Sequence, residues 1–107
     1  MTIYSGFRTA SGCAVTVADG CRCRPLDPRF DLRAPSPDGF EWGYGGSGPA
    51  QLALALAADV LGDDEAALGV YQRLKVRLVS RLPADGWTLT EGELADALRS
   101  LREADGE

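Results

Sequence analysis

The first half of the chain alternates hydrophobic and polar residues, the pattern of strands with one buried face. It predicts a first strand over residues 3–8 and a second over 13–17, and a third over 21–24 that ends at the proline after it. Alternating aromatics over 40–44 predict a fourth strand, with Phe40, Trp42 and Tyr44 on one side. The proline-rich segment before it predicts an ordered but irregular loop.

The hairpin loop at Asp19-Gly20 allows two registers between the second and third strands. A two-residue loop pairs Val17 with Arg22, which mixes valines and arginines on one face. A three-residue loop that starts at Ala18 pairs Val17 with Cys21 instead. We favour this second register because it separates apolar from charged side chains and makes the cysteines small buried hydrophobes. Its apolar face comprises Cys13, Val15, Val17, Cys21 and Cys23.

Helical spacing begins at Gly48, which we expect to be the N-cap of a helix with Pro49 at its first position and Gln51 at its third. This helix is apolar nearly all round, which is typical of a buried central helix, and Gly62 is expected to end it.

Two amphipathic helices are predicted after the central one. Asp63 is expected to cap the first, which runs to about Arg81 with acids leading and bases trailing, as the helix dipole favours. A short extended segment over 87–89 follows. Thr90 and Glu93 then form the capping box of the last helix.

These elements predict an α+β fold, in which a small antiparallel sheet of three or four strands packs on a central apolar helix and two amphipathic helices. At 107 residues we expect a single domain. Residues 1–47 are mainly strands and loops, 48–102 are mainly helical, and 103–107 form a frayed tail.

Composition narrows the function classes. The chain has no histidine, which excludes a Ser-His-Asp or Cys-His arrangement within it and a histidine-ligated metal site. We therefore predict no catalytic residue, metal or cofactor, and favour a protein that is not an enzyme. A net charge of −5 argues against nucleic-acid binding. No segment has the length and apolar character of a membrane span or a signal peptide, so we expect a cytoplasmic protein.

The candidate site is the glycine-rich aromatic turn and the helix start that follows it. Free N–H groups at a helix start favour an anion, although Pro49 removes one donor and the lysine of a phosphate-binding loop is missing. The alternative is that the glycines only let a tight turn pack beneath the aromatics. Ser47 resembles a nucleophile elbow but lacks a histidine base, which favours a turn or capping hydroxyl. The proposed ligand-binding residues are Trp42, Tyr44, Gly45, Gly46, Ser47, Gly48 and Gln51.

Two other patterns have competing interpretations. The spacing C-x7-C-x-C suggests a metal, but no fourth cysteine completes the set and buried hydrophobes are the better interpretation. Arg73, Arg77 and Arg81 recur every fourth residue and so form one basic ridge on a helix. Such a ridge either binds phosphate or an acidic partner or is simply a solvated helix face.

The run Gly-Phe-Glu-Trp-Gly-Tyr-Gly-Gly-Ser-Gly-Pro-Ala-Gln-Leu-Ala-Leu-Ala at 39–55 closely resembles the core motif of an uncharacterised family of small bacterial, archaeal and phage proteins. The resemblance extends to Ile3-Tyr4-x-Gly6, Val15-x-Val17, Leu82-Pro83 and Gly86-Trp87. Since the family is a domain of unknown function, the resemblance implies no reaction or ligand. It implies that 42–51 holds whatever site exists.

The leading hypothesis is a binding or accessory module that recognises a protein partner or a small ligand at this turn. A small hydrolase or transferase that uses carboxylates such as Glu41 and Asp59 is the first alternative. A phage-associated inhibitor that binds a host protein through an acidic surface is the second. The sequence does not fix the oligomeric state.

Overall fold

The computed structural model describes residues 1–106, with side chains through residue 103. Within that range the helices are α1 (Ser47–Leu61), α2 (Asp64–Arg77) and α3 (Glu91–Gly106), and a short 3-10 turn over Val79–Arg81 follows α2. Together with a sheet they form the predicted α+β fold. The frayed tail over 103–107 stays a prediction, because the structure describes no side chain beyond residue 103.

The sheet is antiparallel and has four strands in the order β3-β2-β1-β4. They are β1 (Thr2–Thr9), β2 (Gly12–Asp19), β3 (Arg22–Pro25) and β4 (Gly86–Thr90). The last strand pairs with the first, so the sheet joins the two ends of the fold.

Helix α1 is the centre of the core. Every residue from Gly48 to Ala58 is buried, including Gln51. The leucines Leu52, Leu54 and Leu56 are fully buried although they alternate along the helix, so α1 is covered on more than one side. This confirms the prediction from its nearly continuous apolar composition. None of the described helices is both long enough and apolar enough to cross a membrane.

The local signals for helix ends are confirmed. Gly62 follows α1 in the left-handed conformation, with φ 64°. The carboxylate of Asp63 accepts a hydrogen bond from the N–H of Ala66 at 3.1 Å and so caps α2. Thr90 and Glu93 form the reciprocal capping box of α3, at 2.9 and 3.1 Å. The start of α1 lies slightly earlier than predicted, since Gly46 rather than Gly48 is its N-cap.

The predicted strand over 40–44 is wrong. Gly43 has φ 86°, outside the strand region, and its N–H donates to the carbonyl of Val79 at 3.1 Å. The segment is therefore irregular, and it lies beside the 3-10 turn over Val79–Arg81. The fourth strand is instead Gly86–Thr90, at the position of the short extended segment predicted over 87–89.

Both predicted registers of the second hairpin are also wrong. Asp19 pairs with Arg22 and Val17 pairs with Arg24 around the turn at 20–21. Val17 is buried, whereas Cys21 and Cys23 are exposed, so these two cysteines are not core hydrophobes. Arg24 shares the helix-facing side with Val17 because its guanidinium reaches Asp59 in α1, at 3.0 and 3.1 Å.

Candidate functional site

The glycine turn (residues 43–48) connects the aromatic segment to α1. Gly48 is buried against Glu41, where an added Cβ would lie 2.6 Å from the Cβ of Glu41. Real Cβ atoms do not approach so closely, so this position requires glycine. Gly45 has open space around it. Packing therefore requires glycine at position 48 of the turn but not at position 45.

Two of the predicted site residues are buried and bonded within the chain. The indole N–H of Trp42 donates to the carbonyl of Ala84 at 3.2 Å, and its ring packs edge-on against Trp87. The side-chain amide of Gln51 donates to the carbonyls of Pro28 and Arg33, and its oxygen accepts from the N–H of Ser36. Both side chains therefore position the loops around the turn.

The remaining predicted residues lie at the surface. Tyr44 is 51% exposed, and its ring covers Gly46, where a Cβ would lie 2.8 Å from the ring. Gly45 and Ser47 are exposed and Gly46 is half-buried. The first N–H groups of any helix lack an intrahelical partner, and in α1 no side chain caps them.

A cleft of about 250 Å³ opens beside this surface. We call it the turn cleft. It brings Tyr44, Ser47 and Gly48 of the motif together with residues that sequence reasoning missed. These include Cys13 of β2 and two residues of the irregular loop, Ser36 and Asp38. Cys13 is far from the turn in the sequence, and a contact over such a distance leaves no local signal.

Glu41 forms the charged wall of the turn cleft. Its two oxygens accept from one nitrogen of Arg8 at 3.1 and 3.2 Å, and one of them also accepts from the N–H of Trp42 at 3.3 Å. The same Arg8 nitrogen lies 2.9 Å from the sulfur of Cys13. Arg8 is held in turn by the carbonyl of Ala84 at 2.6 Å and by the ring of Trp42, 4.9 Å from the centroid.

This arrangement shifts the pKa values of the Cys13 thiol and the Glu41 carboxyl group. Burial, and then the hydrogen bond to Glu41, raises the pKa of the Cys13 thiol. Desolvation tends to raise the pKa of Glu41, but hydrogen bonds from Cys13 and Arg8 outweigh it and hold the pKa of Glu41 below its usual range. At neutral pH the cluster therefore contains a neutral thiol, a carboxylate and a guanidinium.

Asp59 lies elsewhere. It accepts from the hydroxyl of Tyr4 at 2.6 Å and from Arg24, and it lines a separate cleft of about 300 Å³ with Arg24 and Arg29. Burial, and then the hydrogen bond to Asp59, raises the pKa of Tyr4. The structure therefore does not bring Glu41 and Asp59 together. The acid that shares the turn cleft with Glu41 is Asp38.

Among the side chains that the structure describes, those through residue 103, no three cysteines or carboxylates gather in a group that would hold a metal ion. The chemistry that the turn cleft presents is hydrogen bonding. It offers hydroxyl groups at Tyr44 and Ser47 and carboxylates at Asp38 and Glu41.

The fold and the cleft define a small α+β protein with a polar surface site at the start of a buried helix. The chain belongs to a family of unknown function, DUF6166, whose model matches residues 4–100. Neither the comparison with curated proteins nor that with solved structures returns a match.

Proposed function

We propose that the protein is a small cytoplasmic binding or accessory module, and that it takes a protein partner or a small ligand at the turn cleft. The observation that carries this proposal is the arrangement of the motif in two layers. Trp42, Gly48 and Gln51 are buried and fix the backbone, while Tyr44 and Ser47 remain accessible beside the cleft. A rigid support under exposed polar and aromatic groups is a common design of binding sites.

Tyr44 supports the proposal most directly. A tyrosine ring that is half exposed supplies apolar area and a hydroxyl at a small cost in conformational entropy, and tyrosine is enriched at binding hot spots. Its ring rests on Gly46, which holds it at the rim of the cleft. The exposed thiols of Cys21 and Cys23 fit the reducing environment of the cytoplasm.

The test compares what the wild-type protein and a Tyr44→Ala/Ser47→Ala variant retain. Tagged protein is recovered from its host, and co-purifying proteins and small molecules are quantified by mass spectrometry. We expect the double variant to lose a specific partner or ligand at least about tenfold, the effect of removing a hot-spot aromatic. Phe30→Ala is the matched control, because Phe30 is similarly exposed, 44%, and does not line the turn cleft.

Circular dichroism and thermal melts establish that all three proteins are folded. If the wild type, the double variant and the control retain identical sets in identical amounts, the site lies elsewhere or the protein is not a binding module of this kind.

A second candidate, a hydrolase or transferase, is favoured by one observation, which is that Glu41, Asp38 and Ser47 line the same cleft. Against it, the hydrogen bonds from Cys13 and Arg8 stabilise the ionised form of Glu41, lower its pKa and so make it a weak base. The test is turnover of chromogenic esters and phosphates. Activity that Ser47→Ala abolishes and Phe30→Ala preserves would favour this candidate over the binding module.

A further inference from the structure

Gly69 lies in the middle of α2, and no packing contact inside the chain requires glycine at this position. It is exposed, has no neighbour within 4 Å of an added Cβ and does not have a positive φ. Glycine in a helix interior is less stable than alanine, so the position suggests that something outside the chain approaches closely.

Gly69 lies on a stripe of α2 that faces away from the core. We call it the α2 stripe and define it as Glu65, Gly69, Gln72 and Val76, all exposed. The spacing of four, three and four residues places them on one side of a helix. Val76 is a hydrophobic side chain that is 56% exposed at one end of the stripe.

Charge is segregated along the same helix. Acids occupy its start, at Asp63, Asp64 and Glu65, and the rest of the helix, residues 66–77, contains three bases and no acid. Glu65 and Arg77 form no ion pair among the described residues. The helix dipole favours this order of charges, but it explains neither the glycine nor the exposed valine.

We propose that the α2 stripe is an interface with a second copy of the chain, in which two α2 helices pair antiparallel about a two-fold axis. Antiparallel pairing places the acidic start of each helix beside the basic end of the other, so the surface is complementary to itself. The spacing of the stripe then sets Gly69 opposite Gln72 of the second copy. Glu65 lies opposite Val76 of the second copy and beside its Arg77.

The proposed interface is small, so its association must be measured over a range of protein concentrations. A helix of 14 residues is about 21 Å long, and one helix pair gives an interface at the low end of the usual size range. The association is therefore weak and depends on concentration. It is also weakened by salt, because its charged groups lie at the surface.

Sedimentation velocity over about 10 µM to about 1 mM protein at low salt tests the proposal. The mass of the wild type is expected to rise from one chain towards two. Glu65→Arg and Arg77→Glu are each expected to raise the dissociation constant at least about tenfold, since each places like charges together. The double variant Glu65→Arg/Arg77→Glu exchanges the charges and is expected to restore association.

Two further variants separate the interface from effects on folding or net charge. Arg22→Glu changes the net charge as Arg77→Glu does but lies on β3, and it is expected to associate like the wild type. Gly69→Leu is expected to remain a folded monomer, because space around Gly69 within the chain is open. The proposal is overturned if the wild type stays monomeric throughout, if Gly69→Leu associates like the wild type, or if the charge exchange fails to restore association.

Discussion

The indole ring of Trp87 lies directly on the backbone of Gly6, its cross-strand partner in the pairing of β1 with β4. An added Cβ at Gly6 would meet the ring atom Cζ2 at 2.7 Å and two further ring atoms more closely still. The ring also packs edge-on against Trp42, with centroids 5.6 Å apart. Gly6 therefore gives Trp87 the room to connect the sheet with the segment that leads to the glycine turn.

We predict that Gly6→Ala destabilises the protein by about 1–3 kcal/mol, the usual cost of overpacking, because the new methyl group must displace the Trp87 ring. Gly69→Ala is the matched control. At concentrations too low for association it is expected to stabilise the protein by about 0.5–1 kcal/mol, since it adds a helix-favouring residue in open space. Urea unfolding measures both. Equal effects of the two substitutions would contradict this account of Gly6.

A second prediction concerns the two kinds of glycine in the turn. Gly48→Ala is expected to cost about 1–3 kcal/mol and to move the segment around Glu41, because its methyl group would clash with the Cβ of that residue. Gly45→Ala, with open space around it, is expected to change the free energy of unfolding by no more than about 0.5 kcal/mol. Thermal melts compare the stabilities, and amide chemical shifts near Glu41 report the displacement. A Gly48→Ala variant with wild-type stability and shifts would show that the packing of this turn is looser than described.

The sequence correctly predicts features that depend on residues close together in the chain. The caps at Asp63 and at Thr90 with Glu93 involve residues three positions apart, so the local pattern was enough to identify them. The burial of α1 followed from its composition, which allows no solvated face.

The errors arose where distant residues decide the structure. The separation of apolar from charged residues favours a hairpin register in which the arginines face solvent, but Arg24 turns towards the helix because Asp59, 35 residues later, accepts its hydrogen bonds. Likewise, alternating aromatics at 40–44 predicted a strand, yet Gly43 and Trp42 bond to a turn some 36 to 42 residues away. Of the residues that line the turn cleft, the sequence singles out Tyr44, Ser47 and Gly48 as candidates, whereas the part played by Cys13 and Asp38 is visible only in the fold.

A third prediction concerns the hydrogen bond from Tyr4 of β1 to Asp59 of α1, at 2.6 Å. Asp59→Ala is expected to cost about 1–3 kcal/mol, because it leaves the buried Tyr4 hydroxyl without its acceptor. Tyr4→Phe, which removes the donor without burying an unpaired group, is expected to cost less, about 0.5–1.5 kcal/mol. The double variant is expected to lose less than the sum of the two, since both single changes break the same bond.

Asp96→Ala is the control for that cycle. Asp96 also pairs with an arginine, but both side chains are mostly exposed, so its loss is expected to change stability by less than about 1 kcal/mol. Chemical denaturation of the four variants gives the comparison. Additive effects at Tyr4 and Asp59 would mean that the bond between them contributes nothing to stability.

The last prediction concerns Cys13 in the turn cleft. Burial and then Glu41 raise its pKa above that of an ordinary thiol, so at any given pH a smaller fraction of this thiol is ionised. Because the thiolate is the species that reacts, iodoacetamide is expected to alkylate Cys13 more slowly than the exposed Cys21 and Cys23 at neutral pH. The rate at Cys13 is expected to rise with pH, with a midpoint above that of an ordinary thiol.

Glu41→Gln removes the carboxylate that disfavours the thiolate, and the rate profile of Cys13 is therefore expected to move to lower pH, while the profiles of the other two cysteines stay in place. Peptide mass spectrometry over a time course resolves the three sites. In concentrated urea all three are expected to react at similar rates, which controls for intrinsic differences between the peptides. If Cys13 in the folded wild type reacts as fast as Cys21, or if Glu41→Gln leaves its profile unchanged, Glu41 does not act on the thiol as the geometry indicates.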